Sequence, residues 1–303
     1  MDNNAGILKE IESLKKEHRA VIVAHNYQMG EIQELADFVG DSLELAQLAA
    51  RTEAEVIVFC GVHFMAETAS ILCPNKKILL PEPAAGCPMA DMVTAAQLEE
   101  MKSKYPGALV VSYVNTTAEV KASSYICCTS ANVVKVIKSL PQGEIIFTPD
   151  KYLGQYATNR TGRQMHLWKG FCPTHARITA QDIIRLKKEY PQAKVMVHPE
   201  CLSEVAALAD EVLSTGGMCR YARESAARQI IVGTEMGIIY RLKKENPQKQ
   251  FISVSEQAIC PNMKLITPQK VLDSLKNLEP EVKVAQDIRE KAVVAVERML
   301  DIV

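Results

Sequence analysis

The chain repeats itself three times, and this repetition limits what it can fold into more than any other feature. Three segments open on a short β-branched run, AVIVAHNY from Ala20, ALVVSYVN from Ala108 and AKVMVHPE from Ala193. With His25, Tyr113 and His198 as equivalent points, the copies stand 88 and 85 residues apart. Seventeen residues beyond each point is a hydroxyl residue, Ser42, Ser130 and Thr215, behind the stretches DFVGDS, YICCTS and EVLSTG. Thirty-six residues beyond, at Gly61, Pro149 and Thr234, another apolar run ends (VIVFCG, EIIFTP, QIIVGT). A fourth short strand follows (KKILLP, RQMHLW, KQFISV), and each copy then reaches a Cys-Pro dipeptide at Cys87, Cys172 and Cys260.

A period near 85 residues is too long for a solenoid and suits three small domains. Strands alternating with helical segments require crossovers, and therefore parallel sheets covered on both faces. The expected architecture is α/β: three homologous αβα three-layer domains, each with a parallel four-stranded sheet, around a pseudo-threefold axis. The boundaries read as 1–104 with an N-terminal helix, 105–189, and 190–303 with C-terminal helices. Ile7, Ile11 and Leu14 recur at helical spacing among charges near the N-terminus, as do Val271, Leu275 and Leu278, then Val293, Val296 and Leu300, near the other end.

In sheets of this kind ligands gather outside the carboxyl ends of the strands. Period-two geometry places each equivalent point on the same side as the residue two further on. Each unit thus offers a pair: His25 with Tyr27, Tyr113 with Asn115, His198 with Glu200. The hydroxyls at Ser42, Ser130 and Thr215 stand where helices begin, where they either cap the helix or join its free N–H groups in binding an anion. Thr215-Gly216-Gly217 also lets backbone approach a ligand closely. Three such starts around one cavity point to a small substrate with several anionic groups.

The nine cysteines divide by the same alignment. A free cysteine is ordinarily a small buried hydrophobe, and Cys60, Cys73, Cys127, Cys128, Cys201 and Cys219 lack threefold partners and fall in that class. Cys73-Pro74 serves as a control, the same dipeptide without a counterpart. Cys87, Cys172 and Cys260 are delivered one per unit by equivalent loops. Three thiolates suit either a catalytic zinc or a 4Fe-4S cluster with one open iron, and the threefold arrangement favours the cuboidal cluster. Cys172-Pro-Thr-His175 is half of a zinc site with no second half, and His175 is placed with His18, His63 and His166 as structural.

Thirty-five basic against thirty-six acidic residues give a net charge of -1, which recommends neither nucleic acid nor an anionic membrane as a partner. No run of about 18 uncharged apolar residues is present, and the opening residues lack the pattern of a secretory leader. An odd set of sparse cysteines fits a reducing compartment, so a cytoplasmic protein is expected.

Ten stretches in order resemble the quinolinate synthase A family: AHNYQ (24–28), DFVGDSLELA (37–46), GCPMA (86–90), YVNTTAEVK (113–121), CCTSAN (127–132), CPTH (172–175), VHPEC (197–201), LSTGGM (213–218), GTEMG (233–237) and AICPNM (258–263). The resemblance implies three αβα domains and an oxygen-sensitive 4Fe-4S cluster on Cys87, Cys172 and Cys260. It implies condensation of iminoaspartate with dihydroxyacetone phosphate to quinolinate, for NAD biosynthesis, with loss of phosphate and two waters. Substrate contacts carry over to His25, Ser42, Tyr113, Val114, Asn115, Ser130, His198, Pro199, Glu200 and Thr215. An aspartate oxidase is implied as the source of the imine. Some family members carry a Cys-x-x-Cys-x-x-Cys run at the third ligand; the single Cys260 here removes any regulatory disulfide at that place. With the resemblance in hand, Glu200 is expected as general base and acid, Tyr27 and Tyr113 as proton carriers, and His25 and His198 as anion-binding donors. Two other readings use the same residues: a three-cysteine zinc lyase or hydrolase, and a non-catalytic iron-sulfur sensor of a metabolite.

Overall fold

The computed structural model describes residues 2–302; the boundary residues Met1 and Val303 lie outside the described residues. Among the described residues twelve strands form three sheets. The first sheet holds β1 (Ala20–His25), β2 (Phe38–Gly40), β3 (Val56–Cys60) and β4 (Lys77–Leu79). The second holds β5 (Leu109–Tyr113), β6 (Ile126–Cys128), β7 (Ile145–Thr148) and β8 (His166–Leu167), and the third β9 (Lys194–Val197), β10 (Glu211–Val212), β11 (Gln229–Gly233) and β12 (Gln250–Ser253). All pairings within the sheets are parallel, and every sheet has the same spatial order, second strand, first, third, fourth. The α/β architecture of three four-stranded parallel sheets is as expected from the repeat.

Register carries the repeat to the strand ends. His25 faces Gly40 of β2, Tyr113 faces Cys128 of β6, and Val197, just before His198, faces Val212 of β10 and Gly233 of β11. Helices on both faces leave no half-exposed side, so β3 and β7 are buried at every position. Val56-Ile-Val-Phe-Cys60 and Ile145-Ile-Phe-Thr148 accordingly read as continuous runs rather than alternating ones.

Each of the three equivalent Cys-Pro dipeptides leads into a 3₁₀ turn, Ala90–Met92, His175–Arg177 and Asn262–Lys264. Seven residues after each cysteine a threonine, Thr94, Thr179 or Thr267, caps the next helix by accepting the N–H three residues on. The first two of these helices, Ala95–Lys104 and Ala180–Glu189, lead into the next unit. The third, Pro268–Asn277, packs instead against the N-terminal helix Asp2–Glu17. The C-terminal helix Gln286–Leu300 lies on Ala118–Ala122, on His63–Leu72 and on β6. The two C-terminal helices, counted with the third unit by sequence, thus cover elements of the first two. Among the described residues no helix is long and apolar enough to cross a membrane.

Candidate functional site

The carboxyl ends of the three sheets meet at one cavity of about 70 Å³ whose walls include Cys87, Cys172 and Cys260. The three cysteines are half-buried, while the other six are buried. Local sequence explains how each sulfur is presented. Proline fixes its own backbone angle at the start of the turn and contributes no N–H, so the next N–H groups are free to turn back on the sulfur. Ala90 and Met89 direct theirs at Cys87, His175 at Cys172, and Met263 and Asn262 at Cys260. Burial pushes the Cys87 thiol up to about 12, and does the same to the core residue Cys60, so thiol acidity does not separate the two classes. Geometry does.

The strand-end pairs line the same cavity. His25 Nδ1 accepts the backbone N–H of Tyr27 at 3.2 Å, and His198 Nδ1 accepts that of Glu200 at 3.3 Å. This shared local turn fixes both rings as Nε2–H tautomers. Burial lowers both to about 3 despite the nearby Glu200 carboxylate, so both rings are neutral donors. Burial, with Glu200 adding to it, keeps the Tyr27 and Tyr113 phenols protonated, far above their usual range.

Glu200 is 3% exposed, and burial alone would push it up. The neighbouring His175, with hydrogen bonds from His175 and Tyr113, outweighs that effect and holds it ionised at about 2. His175 is the residue that sequence reasoning misplaced. Its Nδ1 lies 2.8 Å from Glu200 Oε2 and 3.2 Å from Cys172 Sγ, and its Nε2 lies 2.8 Å from Thr234 Oγ1. Thr234 Oγ1 is in turn 2.5 Å from the Tyr27 hydroxyl. A hydrogen-bonded chain Tyr27, Thr234, His175, Glu200 therefore runs along the cavity wall, and His175 belongs to the site rather than to the scaffold.

The family model described as "Quinolinate synthetase A protein" matches residues 9–301. The chain belongs to the quinolinate synthetase A family. Similar curated relatives are each named "Quinolinate synthase": one from Dehalococcoides mccartyi (strain CBDB1) at 62% identity over 98% of both chains, and one from Geotalea uraniireducens (strain Rf4) at 56% over 98% of this chain and 97% of that one. A third, from Desulforudis audaxviator (strain MP104C), is 52% identical over 99% of each. A solved structure, the E-1-hydroxy-2-methyl-but-2-enyl-4-diphosphate reductase from Plasmodium falciparum, aligns over 91% of this chain and 95% of its own at 12% identity, and its TM-score of 0.33 carries no argument.

As a member of the quinolinate synthetase A family, the chain is an enzyme, and its donor set can be tested against a resident metal. A single zinc, with Zn–S near 2.3 Å, holds its thiolates within about 4.6 Å of one another. Among the described residues, the only three ligand atoms lying mutually within 4.8 Å come from Cys172, His175 and Glu200. The three cysteine sulfurs are spread more widely than one ion allows. Three half-buried thiols on one cavity are, by their chemistry, the donor set that a polynuclear cluster takes. The Cys172, His175 and Glu200 atoms are already joined by hydrogen bonds, and both His175 nitrogens are engaged.

The helix starts also depart from the simplest reading. The capping residues are Asp41, which accepts from Leu43 N and Glu44 N, and Ser214, which accepts from Gly217 N. Ser42 and Thr215 stand one position inside their helices and line the cavity. Ser214 Oγ donates to Asp41 Oδ2 at 3.0 Å, tying the two starts together. A Cβ on Gly216 would come within 2.7 Å of Asp41 Oδ2, so only glycine permits this approach. Ser130 lies in the turn before Val133–Ser139, 3.1 Å from His198 Nε2. Asn115 lines the cavity with a buried Oδ1 that has no partner. Val114 and Pro199 are not among the cavity walls: Val114 is buried with its N–H on Cys128 O, and Pro199 faces a neighbouring groove that shares Ser130. Glu235, which the repeat did not single out, lines the cavity.

Proposed function

We propose that the enzyme condenses iminoaspartate with dihydroxyacetone phosphate to quinolinate, releasing one phosphate and two waters, with a 4Fe-4S cluster held by Cys87, Cys172 and Cys260. The observation that carries this reading is the convergence of three equivalent Cys-Pro turns on one cavity, with sulfurs too far apart for a single ion. Bound there, such a cluster supplies an open iron as a Lewis acid toward an oxygen or carboxylate of the substrate.

The chain's own residues supply the rest. The neutral Nε2–H groups of His25 and His198 and the hydroxyls of Ser42, Ser130 and Thr215 offer donors to carboxylate and phosphate oxygens without bringing charge of their own. The orphaned Asn115 Oδ1 calls for a donor from the substrate, such as a hydroxyl or an imine N–H. Carbon-carbon bond formation needs a proton removed to make the nucleophile, and each dehydration needs one delivered to a leaving hydroxyl. A carboxylate held as low as Glu200 is a weak base alone; hydrogen-bonded to His175 it acts as one unit, taking a proton at the Glu200 carboxylate while the imidazole holds its position. The Tyr27 and Tyr113 phenols, kept protonated by burial, donate toward leaving oxygens, and the Thr234 hydroxyl links Tyr27 to His175. Substrates of this class are soluble metabolites, and we place the reaction in the cytoplasm, with the imine supplied by an aspartate oxidase in NAD biosynthesis.

The test is an anaerobic assay of the iron-loaded protein with enzymatically generated iminoaspartate and dihydroxyacetone phosphate, following quinolinate and phosphate. Equal yields of the two products are expected. Iron-loaded protein that binds either compound yet forms no quinolinate would leave only the sensor reading.

A further inference from the structure

The repeat contains an asymmetry beside the proposed ligand loops. The position thirty-seven residues past each equivalent point is Val62, Asp150 or Glu235, and all three are buried two residues beyond the third strand of their sheet. Glu235 is completely buried. Its Oε1 accepts the Cys260 backbone N–H at 3.1 Å and pairs with Lys264 Nζ at 2.9 Å, and its Oε2 accepts from Gly237 N at 2.7 Å. Lys264 Nζ also donates to the Tyr27 carbonyl, which joins the third unit to the first. The three parts crowd so closely that a Cβ on Gly237 would lie 2.5 Å from Tyr27 O, 2.7 Å from Lys264 Nζ and 2.8 Å from Glu235 Oε2. In the second unit, Asp150 Oδ1 accepts from Tyr152 N and Leu153 N. Its buried Oδ2 is without a fully formed partner, and the Cys172 N–H faces the same carboxylate. The Val62 side chain has no acceptor to offer. The first loop is tied by backbone, His63 N to Ala85 O at 2.8 Å, and by Asn262 of the third loop, whose Nδ2 donates to Gly86 O at 2.7 Å.

We propose that Glu235 is a positioning residue that clasps the third ligand loop: its carboxylate fixes the backbone of Cys260 and, through Lys264, sets that loop against the Tyr27 backbone. The inference rests on the reading of Cys260 as a cluster ligand. A buried carboxylate with three donors is a rigid anchor, and the loss of such an outer-shell partner typically costs about 10–100-fold in metal affinity. The anchor is absent from the first unit, whose loop leans on the third, so loosening the third loop also releases Gly86.

The experiment compares Glu235→Ala, Glu235→Gln and Cys260→Ser, loaded with iron without oxygen, by the rate of iron release to a chelator and by circular dichroism of the iron-free proteins. Glu235→Ala is expected to release iron at least about 10-fold faster than the parent while starting with the same iron content. Glu235→Gln keeps an acceptor for Cys260 N–H and is expected to lie between the two. Because Glu235→Ala leaves Lys264 unpaired, a double variant Glu235→Gln with Lys264→Met carries the test if the alanine protein does not fold, with release again about 10-fold faster. Folded variants that release iron within twofold of the parent would overturn the clasp, provided that Cys260→Ser fails to hold its iron. Full iron in Cys260→Ser would overturn the ligand reading itself.

Discussion

The tripeptide Cys-Pro-Asn occurs twice in this chain, at Cys73 and at Cys260, and the two copies have opposite fates. At Cys73 it ends a helix. The residue is the C-cap of His63–Leu72, 6% exposed, with its thiol donating to Ala49 O at 3.0 Å, and Pro74 stops the helix from continuing. It lies before β4, at the amino edge of the sheet and away from the cavity. At Cys260 the tripeptide follows β12, at the carboxyl edge, and begins a 3₁₀ turn whose N–H groups point back at the sulfur. The same three residues make a core contact in one place and a cavity-facing donor in the other. Topology, not the local motif, makes the ligand.

The comparison can be broken most decisively by exchanging the roles. Cys87→Ser, Cys172→Ser or Cys260→Ser should each abolish quinolinate formation and take bound iron from about four per chain to a small fraction of that, whereas Cys73→Ser should retain all of it; colorimetric iron assay after anaerobic loading reads both. Next in size is Glu200→Gln, which removes the proton acceptor but no ligand. The turnover number should fall by about 10²–10⁴ with iron unchanged, measured by quinolinate formation. His175→Asn should lower turnover by about 10²-fold and also keep its iron. If a single ion were held by Cys172, His175 and Glu200, that variant would lose its metal instead. A smaller effect belongs to Thr215→Val, where loss of one donor, worth about 1–1.5 kcal/mol, should raise KM for the phosphate-bearing substrate roughly 10-fold. The smallest change is Cys73→Ala: wild-type iron and activity, with unfolding stability lower by about 1–2 kcal/mol in urea titrations.

Much of the fold was legible because parallel strands buried on both faces leave continuous apolar runs, and three copies of that signal at fixed offsets reinforce one another. The cysteines and the strand-end residues His25, Tyr113 and His198 were legible for the same reason. His175 was not. The residues at its place in the other turns are Ala90 and Met263, so an argument from threefold equivalence sets it aside, although the chain from Tyr27 to Glu200 passes through it. Symmetry finds the scaffold, and chemistry enters where the copies differ. Asp150 and Glu235 were missed on the same ground, since Val62 breaks the pattern. The caps at Asp41 and Ser214 were displaced by one residue because Ser42 and Thr215 carry equally plausible hydroxyls, and only backbone angles distinguish a cap from the first helical position. Periodicity in Val293, Val296 and Leu300 announced a buried face, but not that it rests on the first two units, nor that Asn132 would donate to Met299 O and Ile302 O at its end.

The central claim, that three equivalent cysteines jointly hold one polynuclear cluster, is tested most directly by counting metals and sulfide in protein purified without oxygen. Elemental analysis of the active protein should find about four irons and about four acid-labile sulfides per chain, with no zinc; a colourless protein that is fully active with one zinc per chain would contradict it.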